Sequence, residues 1–92
     1  MRPLTQALPG ALAELLRDVP LSHGKVEFAW RAAVGSAMDR VTSVRLEGQS
    51  LLVDAVDAQW GREITRSSPV ILTRLITLLG ADTVTKILVR DP

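Results

Sequence analysis

Between Leu51 and Ile64 the hydrophobic pattern of the chain changes period in mid-run. Leu51, Val53 and Ala55 recur every second residue, as one face of a strand does, whereas Trp60 and Ile64 recur every fourth, as a helix stripe does. Asp57 stands at the switch, where its carboxylate can accept from the first free amides of a helix beginning at Ala58. A strand and a helix are thus expected to join with almost no loop, and Trp60 is held beside the end of the strand.

The same reading assigns the rest of the chain. Leu8, Ala11, Leu12, Leu15 and Leu16 share one helical face, with Glu14, Arg17 and Asp18 elsewhere, so a short amphipathic helix is expected from about Pro9 to Asp18, ended by Val19-Pro20-Leu21. From about Gly24 to Arg40 a stripe of Val26, Ala29, Trp30, Ala33, Val34, Ala37 and Met38 predicts a long helix capped by Ser22, with Lys25, Glu27, Arg31 and Asp39 on its other side. Gly35 inside that helix implies a close approach of another backbone. Val41 to Glu47 alternates, with Thr42, Val44 and Leu46 on one side and Ser43, Arg45 and Glu47 on the other; Gly48-Gln49-Ser50 turns it into an antiparallel partner from Leu51 to Val56.

Ser67-Ser68-Pro69 is expected to break the helix that carries Trp60. Ser68 would cap a second helix, with Pro69 in its first turn; its apolar face is Ile71, Leu72, Leu75, Ile76, Leu78 and Leu79, and Gly80 ends it. Val84 to Arg90 closes the series as a third strand, with Ile87 and Val89 on one face and Lys86, Leu88 and Arg90 on the other. The order is α-α-β-β-α-α-β, an α+β domain with helices packed on one face of a three-stranded sheet. The pattern leaves open whether the last strand pairs with the first or the second.

Composition narrows the function. Ninety-two residues, 47% of them hydrophobic, make a single packed domain rather than a disordered tail. Eleven Lys and Arg against ten Asp and Glu leave a net charge of +1, so any hold on nucleic acid has to come from a local patch. With no cysteine, disulfides, thiolate metal sites and cysteine nucleophiles are excluded. Pro9, Gly10 and Glu14 interrupt anything like a signal peptide, and no run is long enough to cross a bilayer, so a cytoplasmic protein is expected.

No arrangement reads as an active site. His23 has no spaced histidine or carboxylate cluster to complete a metal site or a triad, and is expected at the surface near a helix start. Asp54 and Asp57 read as a solvent-facing residue and a helix cap rather than an acid/base pair. The candidate contacts are therefore for binding. Trp60 is either a core ring or, if only partly covered, an anchor for a partner or a stacking platform for a base; Trp30, in mid-stripe, reads as core. Arg62 and Arg66 are one helical turn apart, and with Arg74 they are expected to form a row facing phosphates; the competing reading is a solvated face with local carboxylate pairs. Lys86 and Arg90, on one strand face, extend that row.

Several short features occur together and in order: Ala29-Trp30 with Ala33-Val34-Gly35, Thr42 at a strand start, Gly48 followed by Leu51 and Val53, Trp60-Gly61-Arg62-Glu63-Ile64, then Arg74-Leu75, Gly80 and Val84-Thr85-Lys86-Ile87. In this the chain resembles the DciA family of bacterial proteins, over roughly Val26 to Arg90. The resemblance implies a fold similar to the K-homology type, with residues 1–22 as an amphipathic helix and connector ahead of the DciA-like residues 23–92, all in one globular unit. It also implies a role in DNA replication, binding the replicative helicase DnaB and assisting its loading, with DNA touched weakly. Arg66-Ser67-Ser68-Pro69 carries no glycine and so lacks the Gly-x-x-Gly loop with which K-homology domains clamp a nucleic-acid backbone. Three functions stay open: a non-enzymatic helicase-docking domain without cofactor, an independent single-strand-binding module, and a self-associating structural domain that pairs through its first helix or an edge strand.

Overall fold

The computed structural model describes residues 10–92. Its elements are α1 (Gly10–Asp18), α2 (His23–Val34), a single-turn α3 (Ser36–Asp39), β1 (Thr42–Glu47), β2 (Ser50–Ala55), α4 (Ala58–Leu79) and β3 (Lys86–Arg90). Leu8 and Pro9, expected in the first helix, lie outside the described residues.

The sheet order is β1-β2-β3, with β1 antiparallel to β2 and β3 parallel to β2. This settles the pairing that the sequence left open: β2, α4 and β3 form a βαβ unit, and the central strand is the one that feeds Trp60. The hairpin is a two-residue turn. Gly48 takes φ +60 and Gln49, like every other described non-glycine residue, has negative φ, the combination of a type II′ turn that matches strand twist. Gln49 then anchors the far end of the chain, accepting from Thr85 N at 2.8 Å and donating from Nε2 to Asp82 O at 2.9 Å.

Alternation decides which side of the sheet is covered. Leu51, Val53 and Ala55 of β2 are buried against the helices, together with Val44 of β1, and Ile87 and Val89 of β3 pack against the same core. Into this face α2 inserts Trp30, 1% exposed, and α4 inserts Ile64, Ile71, Leu75 and Leu78. Ala13 and Leu16 bring α1 into the same cluster, where it packs on α4. Burying such side chains gives about 1.5–3 kcal/mol each, which makes this stripe the main source of stability.

Four expectations are corrected. First, α4 is one helix of 22 residues, about 33 Å long, with Pro69 inside it, so the order is α-α-α-β-β-α-β rather than α-α-β-β-α-α-β. The apolar stripe explains this, because Ile64, Ile71 and Leu78 recur every seventh residue straight across the proline. Pro69 is exposed, which puts its missing N–H on the solvent side. Its cost of about 3 kcal/mol is less than the burial it would forfeit by breaking the stripe.

Second, the helix expected to run to Arg40 ends at Val34. Gly35 takes φ +88 and donates to Arg31 O at 2.9 Å, and a Cβ placed on it would meet nothing within 4 Å. Glycine is there for its left-handed backbone, not for a close neighbour. Third, Lys25 is buried rather than on the polar side: its Nζ donates to Val19 O at 2.6 Å and ties the α1–α2 connector to α2. Leu15, by contrast, is 67% exposed, while Ala13 and Leu16 are buried. Fourth, β3 begins at Lys86; Val84 and Thr85 belong to its approach, Val84 fully buried.

Candidate docking surface around Trp60

The junction between β2 and α4 is as short as the change of period predicts. Val56 donates to Val41 O at 3.0 Å and closes the sheet; Asp57, extended at φ −153, then accepts the Trp60 N–H on Oδ1 at 2.8 Å as the helix cap. Trp60 is thereby fixed in the first turn of α4. Its ring is half-buried and packs on the margin of the core.

What it faces is set by Gly35. The left-handed turn redirects the chain after α2 so that α3 brings Ala37 and Met38 to the indole. With Val34, Gln59 and Glu63 these residues line an open cleft of about 520 Å³ that mixes four apolar side chains with one amide and one carboxylate. A half-covered indole beside a methionine presents an amphipathic, adaptable surface for an apolar side chain of a partner.

On another side of α4, Arg62 two residues on and about 200° round the helix from Trp60, and Arg66 one turn beyond it, both exposed, stand beside Gly61, Thr65, Val89 and Asp91 in a separate shallow depression of about 340 Å³. Gly61 is buried where the exit of β3 crosses α4: a Cβ there would lie 3.3 Å from Asp91 Oδ2 and 3.5 Å from its Cβ. Arg66 pairs with Glu63 at 3.5 Å, with the arginine side chain 77% exposed, an arrangement that solvent largely screens.

The other cations expected in the row stand elsewhere. Arg74 is twelve residues from Arg62 on an unbroken helix, which turns it about 120° away, and its Nη1 donates to Ala33 O at 2.8 Å. It satisfies one of the orphan carbonyls at the end of α2 and braces α2 to α4. Lys86 and Arg90 are exposed on the face of the sheet that carries no helix. There Arg90 grips Asp54 through Nε to Oδ1 at 2.9 Å and Nη2 to Oδ2 at 3.0 Å. The hydrogen bond and the charge of Asp54 hold the Arg90 guanidinium above even its ordinary basicity. The predicted residues therefore fall into four groups: Trp60 in its cleft, Arg62 with Arg66 on another side of α4, Arg74 between two helices, and Lys86 with Arg90 on the open sheet face.

Among the described residues no group of three or more histidines and carboxylates is gathered to hold a metal ion, and no helix is long and apolar enough to cross a membrane. His23 lies on the surface, 3.3 Å from Glu27. One surface feature escaped the sequence reading. Phe28 is 51% exposed on α2, and the signal was that it falls outside the stripe Val26, Ala29, Trp30, Ala33.

No curated protein and no solved structure matches the chain. The family described as Dna[CI] antecedent, DciA, matches residues 3–89 of the 92, reaching well ahead of the Val26 at which the motif resemblance starts. The chain belongs to the DciA family.

Proposed function

We propose that this chain is a non-enzymatic docking domain for a replicative helicase of the DnaB type, assisting its loading in the cytoplasm, with Trp60 as the protein anchor and Arg62 and Arg66 as weak contacts to DNA. The single observation that carries the reading is the family match over residues 3–89, which brings a helicase-loading theme to nearly the whole described chain. The half-buried indole lining the cleft with Val34 and Met38 supports Trp60 as the anchor, since interface hot spots favour an aromatic ring seated in a partly desolvated pocket. Its mechanism is positional: the domain holds the helicase and brings two cations beside it.

We read the arrangement of hairpin, helix and parallel third strand as K-homology-like. The unbroken α4 counts against a K-homology style of nucleic-acid clamping, because the clamp is a loop between two helices and Pro69 lies within one. Protein contact therefore leads and DNA follows.

Calorimetric titration of a purified DnaB-type helicase with the wild-type domain and with Trp60→Ala tests this. Loss of the ring is expected to weaken binding at least tenfold while the domain stays folded. A wild-type domain that gives no heat at micromolar concentrations, or a Trp60→Ala variant that binds as tightly, rejects it.

A further inference from the structure

We propose that the outer edge of β1 is a second docking site, which takes up an extended peptide segment of a partner protein as a fourth strand. β1 ends the sheet order, and among the described residues no strand pairs with its far side. The register fixes which groups face outward. Val56 bonds to Val41 O, so along the antiparallel pair Val41, Ser43, Arg45 and Glu47 hold the bonded positions toward β2. The N–H and C=O groups of Thr42, Val44 and Leu46 alternate with them and point away from the sheet.

These outward groups are not shielded by a neighbouring element but open into hollows. One, about 390 Å³, lies between Thr42–Val44 and the α2 residues Phe28 and Arg31; a second, about 320 Å³, lies between Arg45 and Leu46 on one side and Leu21 and Ser22 of the connector with His23 and Val26 of α2 on the other. They are two separate hollows at the two ends of β1, each bounded by α2 and the second also by the segment leading into it. Each carries one large exposed apolar side chain, Phe28 at 51% and Leu21 at 57%. Six residues of strand place side chains about 6.6 Å apart on the same face, which suits apolar residues at alternate positions of an added strand.

Charge selects the occupant. At the Phe28 end the walls bear Glu27 and Asp39 against Arg31, whereas at the other end Arg45 is already held by Glu47 at 2.7 Å. The surplus is acidic, which repels a phosphate backbone and favours a strand that carries a Lys or Arg near Asp39. Main-chain pairing supplies affinity and the two hollows supply selectivity, the division of labour seen when a peptide is added to a sheet edge.

The probe is a capped hexapeptide, arginine-threonine-valine-threonine-valine-threonine, titrated into the isotope-labelled wild-type chain. Amide shifts centred on Thr42, Val44 and Leu46, with amide exchange at those positions slowed at least tenfold, are expected. The same peptide N-methylated at alternate amides should bind at least tenfold more weakly, as should the unmethylated peptide to the surface variants Phe28→Asp and Asp39→Asn. Shifts centred on Trp60, equal binding of the N-methylated peptide, or no shift at millimolar peptide overturns the proposal. So does slow exchange at β1 in the peptide-free protein that appears only as its concentration rises, which would assign the edge to a second copy of the chain, or the same shifts produced by oligothymidine.

Discussion

Thr42 stands where three elements meet. Its Oγ1 accepts from the Trp30 indole at 2.9 Å and donates to Met38 O at 2.9 Å, so one hydroxyl joins the core of α2, the end of α3 and the start of β1. Trp30 is 1% exposed, so loss of the hydroxyl leaves its N–H without its protein acceptor in a largely buried position. Thr42→Val is therefore expected to destabilise by about 1–3 kcal/mol, the cost of a buried donor left unpaired, against about 3–5 kcal/mol for Trp30→Ala, which also opens a cavity. Urea unfolding measures both. In a Trp30→Phe background there is no indole N–H to strand, so most of the Thr42→Val penalty should vanish; if it persists in full, the bond to Met38 rather than the indole dominates.

At the scale of the element, α4 is where local propensity and tertiary packing disagree. Pro69 removes the bond that residue 69 would give to Thr65 O and presses its ring against that carbonyl. The residue is exposed and sits in the middle of 22 helical residues, so nothing but backbone is gained by replacing it. Pro69→Ala is expected to stabilise the domain by about 1–3 kcal/mol and raise its melting temperature. A neutral or destabilising result would mean that the proline itself shapes the packing of Leu72 and Leu75. The same helix shows what was legible beforehand. Its first half was readable because Asp57 and the change of period announce a cap and a stripe together. Its continuity was not, because Ser68-Pro69 is also the signature of a fresh N-terminus, and only the shared burial of Ile64 and Ile71 decides between the two. Gly35 was misread for the converse reason: glycine in an apolar stripe signals either a close neighbour or a left-handed turn, and sequence alone does not separate them.

At the scale of the whole molecule, the distribution of charge decides what the domain can hold. Spacing along the sequence made Arg62 and Arg66 legible as a pair because they are one turn apart on one helix. It could not show that Arg74 turns inward to Ala33 or that Lys86 and Arg90 occupy the opposite face of the sheet, since both depend on how strands and helices are layered. Among the described residues, α4 offers a small cationic footprint of two neighbouring arginines, one of them paired with Glu63. Each phosphate neutralised on a single strand contributes about 0.7 to the slope of log affinity against log salt, so oligothymidine binding followed by fluorescence anisotropy should show a slope near −1.4. Arg62→Glu with Arg66→Glu should abolish that binding at 150 mM salt, whereas Lys86→Glu should leave it within about twofold, a phosphate contact being lost only where one was made. A slope of −4 or steeper, or equal losses from both faces, would require a continuous basic surface wrapping the sheet, and the Asp54–Arg90 clasp would then have to open to release its guanidinium to the strand.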